Sequence, residues 1–119
     1  MNVQLDHVQI AAPPDCEEAA RRFFGDLLGL AEIEKPGPLR ARGGVWFALG
    51  ALQLHIGVDP GFEPARKAHV ALRVGAAGLD DLAERLGGAG APVIWDDALP
   101  GERRFYSEDP WANRIEFIG

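Results

Sequence analysis

Short runs in which apolar and polar residues alternate make up most of the chain, and they predict β-strands. The predicted strands cover residues 4–11, 30–34, 44–49, 52–58, 68–74, 92–95, 103–107 and 113–118. Two segments instead repeat apolar residues every three or four positions, which predicts amphipathic helices. The first follows Asp15, an expected N-cap with Glu18 as its capping-box partner, and ends at Gly29; the second covers about residues 79–86.

The predicted elements occur in the order βαβββ, and this order occurs twice. His7 and His69 lie on the first strand of each repeat, 62 residues apart. We therefore expect one α+β domain made of two similar modules, at about residues 1–58 and 68–119, joined by a linker at 59–67. Gly50-Ala51 is expected to form a type II′ hairpin turn in the first module, and residues 35–38 are expected to form a loop.

The composition excludes several classes of function. A net charge of -6 argues against nucleic-acid binding, which requires a basic surface. No apolar run reaches the roughly 18 residues that a membrane-spanning helix needs, and the first residues do not resemble a signal peptide. The single cysteine, Cys16, cannot form an intrachain disulfide. We therefore expect a cytoplasmic protein.

Three polar residues stand out on the apolar strands. His7 and His69 occupy matching positions in the two modules, and Glu116 lies within the last strand, after an Asp109-Pro110 turn. Two histidines and one carboxylate are the ligand set of an open divalent metal site. A single histidine on a strand is more often a hydrogen-bonded polar group than a metal ligand. The matching positions of two of them favour a metal site here.

The chain resembles the vicinal oxygen chelate superfamily, which includes glyoxalases, bleomycin-resistance proteins and extradiol dioxygenases. The resemblance covers nearly the whole chain and rests on four segments: residues 5–10 around His7, 27–30, 67–72 around His69, and 109–117. The Trp111-Ala112 pair departs from the usual small residue and glycine. The resemblance implies two βαβββ half-barrels of curved mixed sheet around a metal cleft, with His7, His69 and Glu116 as metal ligands.

The resemblance also suggests the residues around the metal. An optional fourth ligand falls on Gln53 or on His55, and His55 is alternatively a proton shuttle. Tyr106 occupies the position of a pocket tyrosine in fosfomycin-resistance relatives, so we expect His55 and Tyr106 to be catalytic. Arg104 shares the face of Tyr106, where it is expected to bind a substrate carboxylate or phosphonate or to be a surface charge. Gln53 and Trp46 complete the expected substrate-binding set.

These residues predict an enzyme that depends on a divalent metal (Fe, Mn, Ni, Co or Zn) and acts on a small oxygen-chelating substrate, as a lyase, isomerase or dioxygenase. The amide of Gln53 cannot take a proton, which disfavours classical glyoxalase I activity. The alternative is a metal-free protein that binds a drug or another small molecule, as bleomycin-resistance proteins do. Short relatives commonly dimerise, so a homodimer is expected, with the metal site inside one chain or across two.

Overall fold

The computed structural model describes residues 1–119, which divide into two compact units, Met1–Glu63 and Pro64–Gly119. The division lies within residues 59–67, the segment predicted as a linker. Each unit has its own four-stranded sheet and its own helices.

The first unit contains four strands, β1 (His7–Ala12), β2 (Glu32–Ile33), β3 (Val45–Leu49) and β4 (Leu52–Val58). Helix α1 connects β1 to β2. It begins as an α-helix over Glu17–Ala20 and continues as a π-helix over Arg21–Leu27, in which the amide of Leu28 bonds to the carbonyl of Phe23, five residues earlier. A 3-10 helix, Gly37–Arg42, precedes β3.

The second unit has the same order of elements. Strand β5 (Val70–Arg73) leads into helix α2 (Ala76–Gly88), and three strands follow. These are β6 (Ile94–Asp96), β7 (Arg104–Glu108) and β8 (Arg114–Ile118).

The two sheets have the same topology. The strand order is β1-β4-β3-β2 in the first unit and β5-β8-β7-β6 in the second. In each sheet the first and last strands pair in parallel, and the other neighbours are antiparallel. The predicted α+β class with two βαβββ modules is therefore confirmed.

One face of each sheet packs against the helix of its own unit. In the first unit the rings of Phe24 in α1 and Phe47 in β3 lie 5.9 Å apart. In the second unit Phe105 and Phe117 lie 5.2 Å apart, and α2 buries Leu79, Leu82 and Leu86. Because side chains alternate along a strand, the residues on either side of Phe47, Phe105 and Phe117 in their strands lie on the opposite face of the sheet.

Two local predictions in the first unit were wrong. Asp15 is not the N-cap of α1: it has a left-handed φ of 63°, and Cys16 takes the N-cap position without a side-chain hydrogen bond. The expected loop at 35–38 runs into the 3-10 helix, whose first turn tolerates Pro38 because the first amides of a helix need no partner. The hairpin at Gly50 agrees with the expected II′ turn, since Gly50 has a φ of 57° and Ala51 has no positive φ.

The turn before β8 is held by Asp109 and Asn113, both buried. The Oδ1 atom of Asp109 accepts hydrogen bonds from the amides of Trp111 (3.0 Å) and Asn113 (2.9 Å), and its Oδ2 accepts one from Nδ2 of Asn113 (2.7 Å). Burial raises the pKa of Asp109, and these hydrogen bonds oppose that effect. Ala112 has a left-handed φ of 69°, a conformation that glycine adopts more readily than alanine.

No helix of the protein combines the length and the apolar character needed to cross a membrane.

We predict that Ala112→Gly stabilises the protein. A left-handed conformation costs a residue with a Cβ atom about 1–2 kcal/mol, and the greater freedom of glycine in the unfolded chain offsets part of the gain. The free energy of unfolding in urea should rise by about 0.5–1 kcal/mol. Ala89→Gly is the matched control, because Ala89 has a φ of -88° and gains no relief of strain. Equal destabilisation by both substitutions would contradict this account of the turn.

Candidate functional site

In the second unit, the parallel pairing of β5 and β8 brings His69 close to Glu116. Ala71 is the register partner of Glu116, and His69 lies two residues earlier on the same face as Ala71. The Nε2 atom of His69 is 3.1 Å from Oε1 of Glu116, and Glu116 is only 5% exposed. The two predicted ligands of this unit are therefore in direct contact.

The protonation of His69 makes this contact informative. Its Nδ1 atom is 2.9 Å from the carbonyl oxygen of Lys67, and a carbonyl can only accept, so Nδ1 carries the proton. In a neutral ring Nε2 then presents a lone pair to the carboxylate of Glu116, which is also an acceptor. Two facing acceptors need a cation, either a second proton on His69 or a metal ion. A histidine whose other nitrogen donates to a backbone carbonyl is the usual arrangement of a metal ligand.

Arg104 holds the other oxygen of Glu116. Its Nη1 atom is 3.4 Å from Oε2 of Glu116, and its Nη2 atom is 3.2 Å from Oδ1 of Asp96. Arg104 therefore contacts two carboxylates, while its buried Nε–H has no hydrogen-bond partner within the protein. The sequence singled out Arg104 for substrate binding but contained no signal for its contact with Glu116.

Tyr106 lies directly across from Glu116 in the β7–β8 register. Its ring meets the His69 ring edge-on at 5.7 Å between centroids. The guanidinium carbon of Arg114 lies 3.8 Å from the centroid of the same ring. Tyr106 thus contacts both His69 and Arg114.

In the first unit, three aromatic rings form a stack across the sheet. His55 lies parallel to Trp46 with 3.7 Å between centroids, and His7 stacks on His55 at 4.3 Å. The register explains the stack, because Trp46 is the partner of His55 and His7 is the partner of Gln53. The four residues predicted for the site in this unit (His7, Trp46, Gln53 and His55) therefore lie on one face.

The hydrogen bonds of the two histidines in the stack differ. Nδ1 of His7 is 2.8 Å from the Asp6 carboxylate and donates to it, so Nε2 of the neutral ring is free to bind a metal. Nε2 of His55 is 2.8 Å from Oε1 of Gln53, and since that oxygen accepts, Nε2 of His55 carries a proton. This arrangement favours His7 over His55 as a metal ligand.

The shared topology also relates the two units residue by residue. In each unit, the residue two positions after the first-strand histidine pairs with a residue on the last strand. That partner is His55 in the first unit and Glu116 in the second. Their neighbours on the next strand are Trp46 and Tyr106. His55 is therefore the structural equivalent of Glu116, a correspondence that sequence spacing alone could not distinguish from Gln53.

Gln9 is a candidate site residue that the sequence analysis missed. It is the register partner of His55, and its side chain covers Gly57, where a Cβ atom would lie 2.6 Å from Cδ of Gln9. Two signals pointed to it. Gln9 shares the face of His7 two residues away, and a glycine within a strand often marks a close approach by another group.

The predicted residues thus form a polar group in the second unit and an aromatic group in the first. No set of three or more His, Cys, Asp or Glu side chains that could hold a metal ion is grouped in the structure. The His69–Glu116 contact contains two of the three predicted ligands, and the participation of His7 stays a prediction.

The sequence has no match among protein-family models or curated proteins. Among solved structures, a protein described as a member of the glyoxalase family from Bacillus anthracis is 47% identical, with a TM-score of 0.91 over 99% of this chain and 95% of that one. The chain belongs to the glyoxalase family. The vicinal oxygen chelate superfamily predicted from the sequence is confirmed.

More distant structures share the fold of this glyoxalase-family protein. A lactoylglutathione lyase from Agrobacterium tumefaciens is 19% identical, with a TM-score of 0.75 over 98% of this chain and 93% of that one. A fosfomycin resistance protein from Listeria monocytogenes, in complex with Mn(II) and dihydroxypropylphosphonic acid, is 18% identical, with a TM-score of 0.81 over 98% and 92% of the two chains.

We predict that His55 is neutral at pH 7 in the metal-free protein. Its burial, reinforced by the nearby His7 ring, lowers the pKa of His55 below the usual value of about 6.5. The C2 proton of His55 should titrate below that value in NMR spectra. Because the unfolded chain then takes up the proton more readily, stability should fall as the pH drops below about 6.5. His55→Phe, which keeps a ring in the stack, should flatten this decline. A midpoint for His55 above 6.5 would contradict the prediction.

Proposed function

We propose that this protein is a divalent-metal-dependent enzyme of the glyoxalase family that acts on a small oxygen-chelating substrate. The observation that carries the proposal is the contact between Nε2 of His69 and Oε1 of Glu116 at 3.1 Å, with Nδ1 of His69 already committed to the Lys67 carbonyl. A metal ion satisfies two acceptors that face each other, and imidazole and carboxylate suit Fe, Mn, Co, Ni and Zn.

The ligands in this proposal are His69, Glu116 and His7. Like His69, His7 has a hydrogen-bonded Nδ1, which donates to Asp6, so Nε2 of its neutral ring has a lone pair. We propose that His7 completes the set, from the same chain or from the partner in a homodimer. The presence of Mn(II) in the fosfomycin resistance protein of the same fold supports a metal of this class.

The metal would supply Lewis acidity to the oxygen atoms of a chelated substrate. Arg104 fixes Oε2 of Glu116 and so leaves Oε1 directed toward His69. We propose that Tyr106, which is edge-on to His69, donates or accepts a proton at its phenolic oxygen, and that Arg104 contacts the substrate beside it. These roles combine positioning of the substrate with general acid–base catalysis.

The first unit would contribute a second set of side chains to the substrate site. We propose that Trp46 and Gln53 contact the substrate and that His55 exchanges a proton through its ring. Because Oε1 of Gln53 already accepts from His55 and an amide is not a base, Gln53 orients groups rather than removing protons. This chemistry fits a lyase, isomerase or dioxygenase better than glyoxalase I. We also propose that the protein is cytoplasmic.

We predict one divalent metal ion per chain in protein purified without a chelator or affinity tag, measured by elemental analysis. Metal that binds only the folded state should raise the stability of metal-free protein by about 2.7 kcal/mol at a hundredfold excess over Kd. Melting curves with added Mn, Fe, Ni, Co and Zn would measure this shift. Glu116→Gln and His7→Ala should each abolish it, because each removes a ligand.

His55→Ala is the control, since it should retain metal while changing activity. If His7→Ala kept its full metal content, the ligand assignment would be wrong. If wild-type protein bound no metal and showed no shift, the metal-free small-molecule-binding alternative would replace the enzyme. Light scattering at several protein concentrations tests the homodimer.

A further inference from the structure

A cleft of about 270 Å³ lies in the second unit beside Tyr106. Six of the residues that line it are Arg66, Pro92, Ile94, Tyr106, Glu108 and Arg114. Neither His69 nor Glu116 lines it, so the cleft adjoins the proposed metal ligands without containing them.

Arg114 is the principal cation of this cleft. Its guanidinium carbon stacks 3.8 Å from the centroid of the Tyr106 ring, which holds the planar group by its face. Arg114 forms no ion pair, although Glu108 is its cross-strand neighbour. The N–H groups at the edge of Arg114 are therefore available to a ligand, whereas Arg104 is bonded to two carboxylates.

Backbone hydrogen bonds hold a second arginine beside the first. The amide of Arg114 donates to the carbonyl of Ala65 (2.8 Å), and the amide of Ala65 donates to Oδ1 of Asn113 (2.9 Å). These bonds fix the chain at residue 65 against the start of β8, which places Arg66 at the cleft wall. Arg66 also forms no ion pair.

The charges of the cleft oppose those of the whole protein. Two guanidinium groups and one carboxylate, that of Glu108, line it, whereas the chain carries a net charge of -6. Two arginines without ion-pair partners in an acidic protein create a local attraction for anions. Arginine offers a planar set of donors that matches the oxygen atoms of a carboxylate or phosphate group.

We propose that the cleft formed by Arg66, Arg114 and Tyr106 binds an oxyanion, a carboxylate or a phosphate-type group, of a small molecule. The Tyr106 ring stacks with Arg114 and meets the His69 ring at 81°, so the anion site adjoins the proposed metal ligands through one shared side chain. The assignment of this anion to the substrate of the enzyme rests on the proposed function. It restricts that function to anionic substrates. The anion site itself does not depend on the metal.

Titration of metal-free, ¹⁵N-labelled full-length protein with sodium phosphate at constant ionic strength tests the site, and a parallel titration uses sodium acetate. We expect saturable shifts of the amide resonances of Ala112 and Arg114 in NMR spectra. A preference for phosphate would assign the site to phosphate-type groups, and a preference for acetate to carboxylates. Arg114→Gln should weaken binding about tenfold, as expected for the loss of a hydrogen bond to a charged group. Arg66→Gln should weaken it in the same direction.

Arg42→Gln is the matched control, because Arg42 is exposed, lies in the first unit and forms no ion pair. It should bind phosphate as the wild type does. Arg114→Gln should also keep the metal affinity of the wild type, so a loss of anion binding is distinguished from a loss of the metal site. The absence of saturable shifts with both anions, or equal weakening by Arg42→Gln and Arg114→Gln, would overturn the proposal.

Discussion

The parallel pairing of the first and last strands of each module determines which side chains can act together. In a βαβββ module the chain leaves the sheet through a helix and returns by two antiparallel steps, so the final strand inserts beside the first. Residues 47 positions apart in the sequence, His69 and Glu116, therefore become neighbours on one face. The same pairing places His7 beside Gln53 and Gln9 beside His55 in the first unit. Each sheet uses its other face for the hydrophobic core.

Given this framework, the two modules differ in chemistry although their registers correspond. Where the second unit has Glu116 and Tyr106, the first has His55 and Trp46. The second unit is therefore ionic, with a carboxylate held between His69 and Arg104. The first is aromatic, and burial lowers the pKa of its histidine, His55. The duplicated fold thus presents an ionic face in one unit and a stacked aromatic face in the other. Hydrogen bonds to Lys67 and Asp6 occupy Nδ1 of His69 and His7, which leaves a lone pair on Nε2 of each neutral ring.

Much of the fold could be predicted from the sequence because alternation and glycine placement are local signals. The strands were found with ends that differ by up to three residues, and β4 was found at its observed limits, 52–58. The π-helical part of α1 and the left-handed φ of Asp15 could not be predicted, because neither alternation nor glycine placement indicates them. The strand register could not be predicted either, so the sequence did not show whether Gln53 or His55 is the equivalent of Glu116. The pairing of Arg104 with two carboxylates, and the cleft between Arg66 and Arg114, depend on neighbours that are distant in sequence.

The central claim is that the contact between His69 and Glu116 is a metal site. The chain contains three histidines, so their C2 proton resonances can be resolved and assigned with single substitutions. Titration with substoichiometric Mn²⁺, whose unpaired electrons broaden nearby signals, tests the claim most directly. The account predicts that the His69 resonance broadens at the first additions and that Glu116→Gln prevents it. A His69 resonance that stays sharp in wild-type protein at stoichiometric Mn²⁺ would contradict the claim.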